Sequence, residues 1–158
     1  MHPAFSLFAA TLLAFAAPFP AQAERPELSF GLGAFTQPGA EAYVRYIDRP
    51  RLGPFAPVYG ASISDRGAAW AGAGLAWTWN MAQPGAYVRA STMFGLYEKG
   101  SGPDLGGPVQ FRSGIELGWR LTPEFRIGIG FDHRSSAGIQ KPNPGLNTVH
   151  LFFSRALR

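Results

Sequence analysis

Between Gln110 and Leu121 the chain repeats with a period of two. Phe111, Ile115, Leu117, Trp119 and Leu121 fall on one parity, and Gln110, Arg112, Gly114, Glu116 and Arg120 fall on the other. A helix would scatter those residues around its axis, whereas a strand sends alternate side chains to opposite faces. After the tight turn Thr122-Pro123-Glu124 the alternation resumes, with Phe125, Ile127, Ile129 and Phe131 set against Arg126, Gly128 and Gly130. One face of this hairpin is apolar, and the other carries charge and glycine.

The same grammar governs the rest of the chain. Leu28-Phe30-Leu32-Ala34 alternates against Ser29-Gly31-Gly33, and Glu41–Ile47 sets Val44 and Tyr46 opposite Tyr43 and Arg45. Val58–Ser64 follows two prolines, and Ala69–Trp79 places Ala69, Ala71, Ala73, Leu75, Trp77 and Trp79 on one face. Ala86–Tyr97 and Thr148–Ala156 complete the set, each bounded by turn residues such as Gln83-Pro84-Gly85. The reading is all-β: eight strands of about ten residues, the length a tilted strand needs to cross a bilayer. An even count with one apolar and one polar face predicts an eight-stranded antiparallel transmembrane β-barrel. Arg89, Arg112, Glu116 and Arg126 would face the lumen, and Trp77, Trp79 and Trp119 an interfacial girdle. The alternative is a soluble secreted barrel or sandwich whose apolar parity faces inward. Eight strands enclose only enough space for side chains, so a diffusion pore is not expected.

Composition narrows the class. Charged residues make up 15% of the 158, aromatics 14%, and there are 20 glycines and no cysteine. A disulfide framework and thiolate metal sites are thereby excluded, and no carboxylate cluster suggests calcium, so no metal or other cofactor is expected. The formal charge of +4 is spread without a basic run, which argues against nucleic acid as a partner. Residues 1–23 read as a signal peptide: Ala4–Ala17 is apolar and uncharged, and Ala21-Gln22-Ala23 is a small-x-small cleavage site. Pro18 and Pro20 break the apolar run before it could span a membrane. The mature barrel would comprise residues 24–158, with its termini in the periplasm and odd strands running outward.

Past Phe131 the apolar parity is broken. Its next positions hold His133 and Ser135, and Asn147 shares that parity at the outer start of the last strand. A serine, an imidazole and an amide at the height of the outer leaflet can form a nucleophile, base and orienter. A substrate reaching them from the membrane side would be a lipid ester. Asp132 adjoins His133 but points to the opposite face, which makes it a poor orienter.

His133-Arg134-Ser135-Ser136-Ala137-Gly138 followed by Asn143-Pro144-Gly145 resembles the C-terminal signature of the lipid A 3-O-deacylases. That signature runs His-x-Ser-Asn-Ala, a short stretch, then Asn-Pro-Gly. Gly95-Leu96-Tyr97, Asp104-Leu105-Gly106 and Phe111-Arg112-Ser113-Gly114 look similar to the family as well. The resemblance covers residues 86–154. It implies an eight-stranded barrel in the bacterial outer membrane that hydrolyses the ester-linked 3-hydroxyacyl chain at the 3-position of lipid A, without a metal. Ser135 then matches the nucleophile, His133 the general base, and the Gly138 amide and Asn143 the oxyanion positions. Lipopolysaccharide (lipid A) and outer-membrane lipid are the implied partners, and a homodimer stays open.

Two positions depart from that pattern. Ser136 stands where the family usually has Asn, and Asn147 where it carries the triad Glu. An amide can accept the Nδ1 proton but cannot offset the imidazolium charge. Outer-membrane phospholipase A enzymes are similar in pairing His-x-Ser with an Asn about twelve residues on, so Asn is chemically acceptable as the third member. The C-terminal pair Leu157-Arg158 is also unusual for a barrel. Arg134 would point inward toward Asp132, Glu116 or the neighbours of Arg112, and His150 would be a packed lumen group. Lys99 and Lys141, in outward loops, are candidates for meeting lipid A phosphates. Beside the deacylase stand two other readings: a structural or adhesive barrel with a decayed site, and a phospholipase-type esterase.

Overall fold

The computed structural model describes residues 25–158; the expected signal peptide lies outside the described residues. The strands are β1 (Glu27–Phe35), β2 (Ala40–Ile47), β3 (Phe55–Ser64), β4 (Ala69–Asn80), β5 (Ala86–Glu98), β6 (Val109–Arg120), β7 (Phe125–Ser135) and β8 (Leu146–Ala156). Each pairs antiparallel with its neighbour, and β8 pairs with β1 to close the barrel. Closure leaves no edge, so every strand has its ladder satisfied on both sides.

The parity reading sets which face is which. Phe30, Leu32, Phe94, Ile115, Leu117, Ile129 and Leu151 are all more than half exposed on the outer wall. The apolar parity therefore faces outward, opposite to the inward facing of the soluble alternative. Trp77, Trp79 and Trp119 gather at the end of the wall toward the termini of the barrel, where Phe55 packs on Trp77 at 5.7 Å between ring centroids. Arg155, outward at that same end, lays its guanidinium over Phe125.

The lumen is filled by two ionic clusters. Toward the termini, Glu27 accepts from Arg89 at 2.6 Å and from Arg126, while Glu116 pairs with Arg45 and accepts from the Tyr87 hydroxyl at 2.6 Å. Toward the longer loops, Arg112 donates to Glu41 at 2.6 Å and to Asp132 at 2.8 Å. Arg134 donates to the second Glu41 oxygen at 2.8 Å, and His150 Nε2 lies 2.9 Å from the first. Tyr43, Met93 and Phe152 lie buried among these charges, with the Arg112 guanidinium 3.7 Å from the Tyr43 ring centre and Arg45 3.9 Å from Phe152. Inward glycines make the room: a Cβ at Gly33 would stand 2.4 Å from the His150 ring, and one at Gly118 2.1 Å from Tyr87.

Two strand starts differ from the sequence reading by more than one residue. β3 begins at Phe55, ahead of Val58, because Pro57 is paired opposite Leu75 and its carbonyl takes the Asp48 amide at 2.8 Å. β8 begins at Leu146, ahead of Thr148, which brings Asn147 into the paired ladder.

Candidate active site

The register of β7 on β8 places His133 directly opposite Asn147. Both point to the outer face, and His133 Nδ1 lies 2.7 Å from Asn147 Oδ1. An amide oxygen only accepts, so Nδ1 is the protonated nitrogen and the Nε2 lone pair is left available. Ser135 follows on the same face, half-buried at the last position of β7 and opposite Phe111 of β6. Residues two apart in a strand are separated by about 6.6 Å, a gap that a hydroxyl and an imidazole can bridge. The His133–Asn147 contact is formed; among the described residues no hydrogen bond joins Ser135 to the ring.

The ring is seated by a residue outside the expected set. Gly145 has a φ of 71°, and a Cβ there would stand 2.8 Å from His133 Cε1 and 3.5 Å from Nε2. Glycine is required twice over, for the left-handed backbone and for the approach of the imidazole.

The β7–β8 connection is built on Ser136, which is fully buried. Its amide donates to Asn143 Oδ1 at 2.9 Å, and its hydroxyl donates to the Gln140 carbonyl at 3.1 Å. Ser136 thus anchors the connection just behind Ser135, and Asn143 presents its oxygen to that anchor, which leaves its Nδ2 donors for another partner. Gly138 lies at the tip of the turn closed by Ile139 N–H on the Ser136 carbonyl at 3.0 Å, with nothing within 4 Å of where its Cβ would be. Ala137 and Gly138 both have positive φ, 52° and 80°. The β5–β6 loop braces this connection: Val109 N–H donates to Gln140 Oε1 at 3.2 Å, and Gly106 lies so close to the Pro142 carbonyl that no side chain fits.

Lys99 is bound to Asp104 at 2.9 Å on the exposed surface of that loop. Hydrogen bonds from Lys99 and from the Gly106 amide hold the Asp104 carboxyl below its ordinary pKa. Arg134, expected near Asp132, Glu116 or the neighbours of Arg112, pairs with Glu41, which also accepts from Arg112.

Two further polar side chains stand on the wall beside this group. Ser113 of β6 is directly opposite His133, and Thr92 of β5 is directly opposite Ser113; their hydroxyls are 3.1 Å apart. Apart from Glu98 and Arg155 at strand ends, Thr92, Ser113, His133, Ser135 and Asn147 are the polar side chains on the outward parity of the eight strands. They form one contiguous patch. Thr92 and Ser113 were legible by the same signal as His133, a polar residue on an apolar parity.

Fold and site together define a small closed barrel that presents a serine, a histidine and an asparagine side by side on an apolar outer wall. The family model described as lipid A 3-O-deacylase (PagL) matches residues 50–156. That is more than half of the chain, which belongs to this family. Lipid A deacylase PagL of Bordetella bronchiseptica is 43% identical over 70 residues, covering 44% of this chain and 36% of that relative. The chain thus matches little more than a third of that relative's length. Among solved structures, that of the outer membrane enzyme PagL aligns with a TM-score of 0.71 at 16% identity, covering 83% of this chain and 99% of that one. A de novo designed transmembrane β-barrel aligns at 0.65 with 9% identity, covering 86% and 98%. Neisserial surface protein A aligns at 0.51 with 10% identity, covering 84% and 94%. At such identities these likenesses speak for the fold.

Proposed function

We propose that this chain is an outer-membrane serine esterase that removes the ester-linked 3-hydroxyacyl chain from the 3-position of lipid A. The observation that carries this reading is the 2.7 Å contact of His133 Nδ1 with Asn147 Oδ1 on an outward apolar wall, one same-face position from Ser135, in a chain of the deacylase family. The wall faces outer-membrane lipid, and the site lies at the height of the outer leaflet. The leader is cleaved after Ala23.

Catalysis follows from the tautomer. His133 Nε2 takes the Ser135 proton as Oγ attacks the ester carbonyl, while Asn147 holds Nδ1–H and so keeps the ring oriented. The Gly138 amide and Asn143 Nδ2 stabilise the tetrahedral oxyanion, where one such donor contributes about 2.7–4 kcal/mol. Collapse breaks the bond to the sugar oxygen, which receives the proton from the imidazolium. Water, deprotonated by His133, then splits the acyl-enzyme and releases a 3-hydroxy fatty acid. No metal or cofactor enters these steps.

The reading is tested with purified protein in detergent micelles, supplied in parallel with lipid A and with phospholipid. A free 3-hydroxy fatty acid from lipid A, absent with Ser135→Ala, supports it; a lysophospholipid alone would instead favour a phospholipase.

A further inference from the structure

The polar patch on the wall extends beyond the groups that the esterase chemistry uses. Across the sheet, the register runs Asn147–His133–Ser113–Thr92. Counted from the loop end of each strand, Asn147 is second in β8, His133 third in β7, Ser113 fifth in β6 and Thr92 seventh in β5. The row therefore leaves the rim and descends into the apolar wall. Directly opposed Cβ atoms lie about 4.5–5.5 Å apart, so Ser113 is one such step from the imidazole and Thr92 two.

This row is a polar slot between apolar ridges. On the rim side, Ser135, Phe111 and Phe94 lie in register, with the two rings 5.5 Å apart in an edge contact. On the other side, Phe131, Ile115 and Ala90 lie in register. A hydroxyl placed among hydrocarbon groups loses its water partners, a cost that the 3.1 Å contact between Thr92 and Ser113 offsets. Both hydroxyls are exposed, and each retains acceptor capacity after that one bond.

We infer that Ser113 and Thr92 form a specificity subsite that reads the hydroxyl on the acyl chain of the scissile ester. The inference rests on the esterase reading above. With the carbonyl carbon at Ser135 Oγ, the chain leaves across the wall and its 3-hydroxyl is borne on the second carbon beyond the carbonyl. Ser113 is the diagonal neighbour of Ser135 across β6 and β7, about 7–8 Å away, a span that the ester carbon, the two carbons beyond it and one hydrogen bond can cover. The substrate hydroxyl donates to Ser113 Oγ or accepts from it, and Thr92 closes the chain of hydrogen bonds. An acyl chain without this hydroxyl gains nothing from the pair, whereas a hydroxylated chain on an all-apolar wall would be left unpaired.

The test compares two synthetic lipid A molecules that differ only in carrying a 3-hydroxyacyl or the unsubstituted acyl ester at the 3-position. Their kcat/KM ratio is measured for the full barrel in detergent micelles, for the Thr92→Val/Ser113→Ala double variant and for Ser113→Thr. The wild type favours the hydroxylated ester, the double variant lowers that preference about tenfold, the effect of one lost polar partner, and Ser113→Thr keeps it. A fall that is equal on both esters, with the ratio unchanged, would mark the pair as a structural cross-strand contact and overturn the subsite alone. A folded wild type that cleaves neither ester would overturn the esterase reading, and the subsite with it.

Discussion

Asn147 offers His133 a neutral oxygen at 2.7 Å, where the family pattern carries a carboxylate. Hydrogen bonds to an ionised acceptor are roughly twice as strong as neutral ones, and the difference grows when the ring becomes positive in the transition state. Asn147→Glu is therefore expected to raise kcat about fivefold, an increment of about 1 kcal/mol, while Asn147→Ala lowers it. An unchanged rate in both variants would show that the orienting contact does not limit the reaction. Gly145 acts on the same ring from the other side. Alanine there places a methyl 2.8 Å from Cε1 on a φ of 71°, so the imidazole or the loop must shift. A displacement of about 1 Å costs roughly a hundredfold in rate, so Gly145→Ala is expected to lose activity while its far-UV circular dichroism stays that of the barrel. The sequence singled out His133 and Ser135 because they interrupt an alternation, and Asn147 because it shares their parity. Gly145 interrupts nothing, and only the fold brings it against the imidazole.

β7 does two jobs at once, since alternate residues belong to different surroundings. His133 and Ser135 face outward, and between and beside them Arg134 and Asp132 tie the same backbone into the lumen. Glu41 of β2 serves Arg134, Arg112 and His150 from across the barrel. Replacing it by alanine leaves the buried Arg134 guanidinium without its carboxylate and Arg112 with Asp132 alone, a loss of about 3–5 kcal/mol, read as a lower urea midpoint for the refolded barrel. A midpoint within error of the wild type would show that the cluster relaxes onto Asp132 or water. At this scale the alternation was fully legible, and so was the inward direction of Arg134. Its partner was placed only as a neighbour of Arg112. Glu41 lies far away in the chain, and only the closure of β8 on β1 and the strand tilt bring the two together. The start of β8 was misplaced for a related reason: Leu146 and Asn147 follow a glycine turn and carry no alternation of their own, yet β7 pairs with them.

The whole molecule inverts the usual arrangement of a soluble barrel, with its ion pairs inside and its leucines, isoleucines and phenylalanines outside. Ile129, midway along β7 and 55% exposed on the outer wall, marks the middle of the apolar band. Ile129→Arg is expected to destabilise the lipid-embedded barrel by about 2–4 kcal/mol, measured by reversible unfolding in vesicles. Stability equal to the wild type would contradict a lipid-facing wall. Strand number, facing and closure could all be reasoned from period and parity. The β7–β8 connection could not, since its shape depends on positive φ at Ala137 and on Ser136 folding inward, and neither residue type signals this. Residue, strand and barrel meet in one proposed arrangement: a barrel of this family, lipid on the outside, with Ser135 as its nucleophile. It is tested most directly by mass spectra of lipid A from cells expressing the wild-type chain, Ser135→Ala or an empty vector, with the barrel shown to be folded in the outer membrane. Loss of one 3-hydroxyacyl mass with the wild type alone is the expected result. Lipid A unchanged by the folded wild-type barrel would contradict the account.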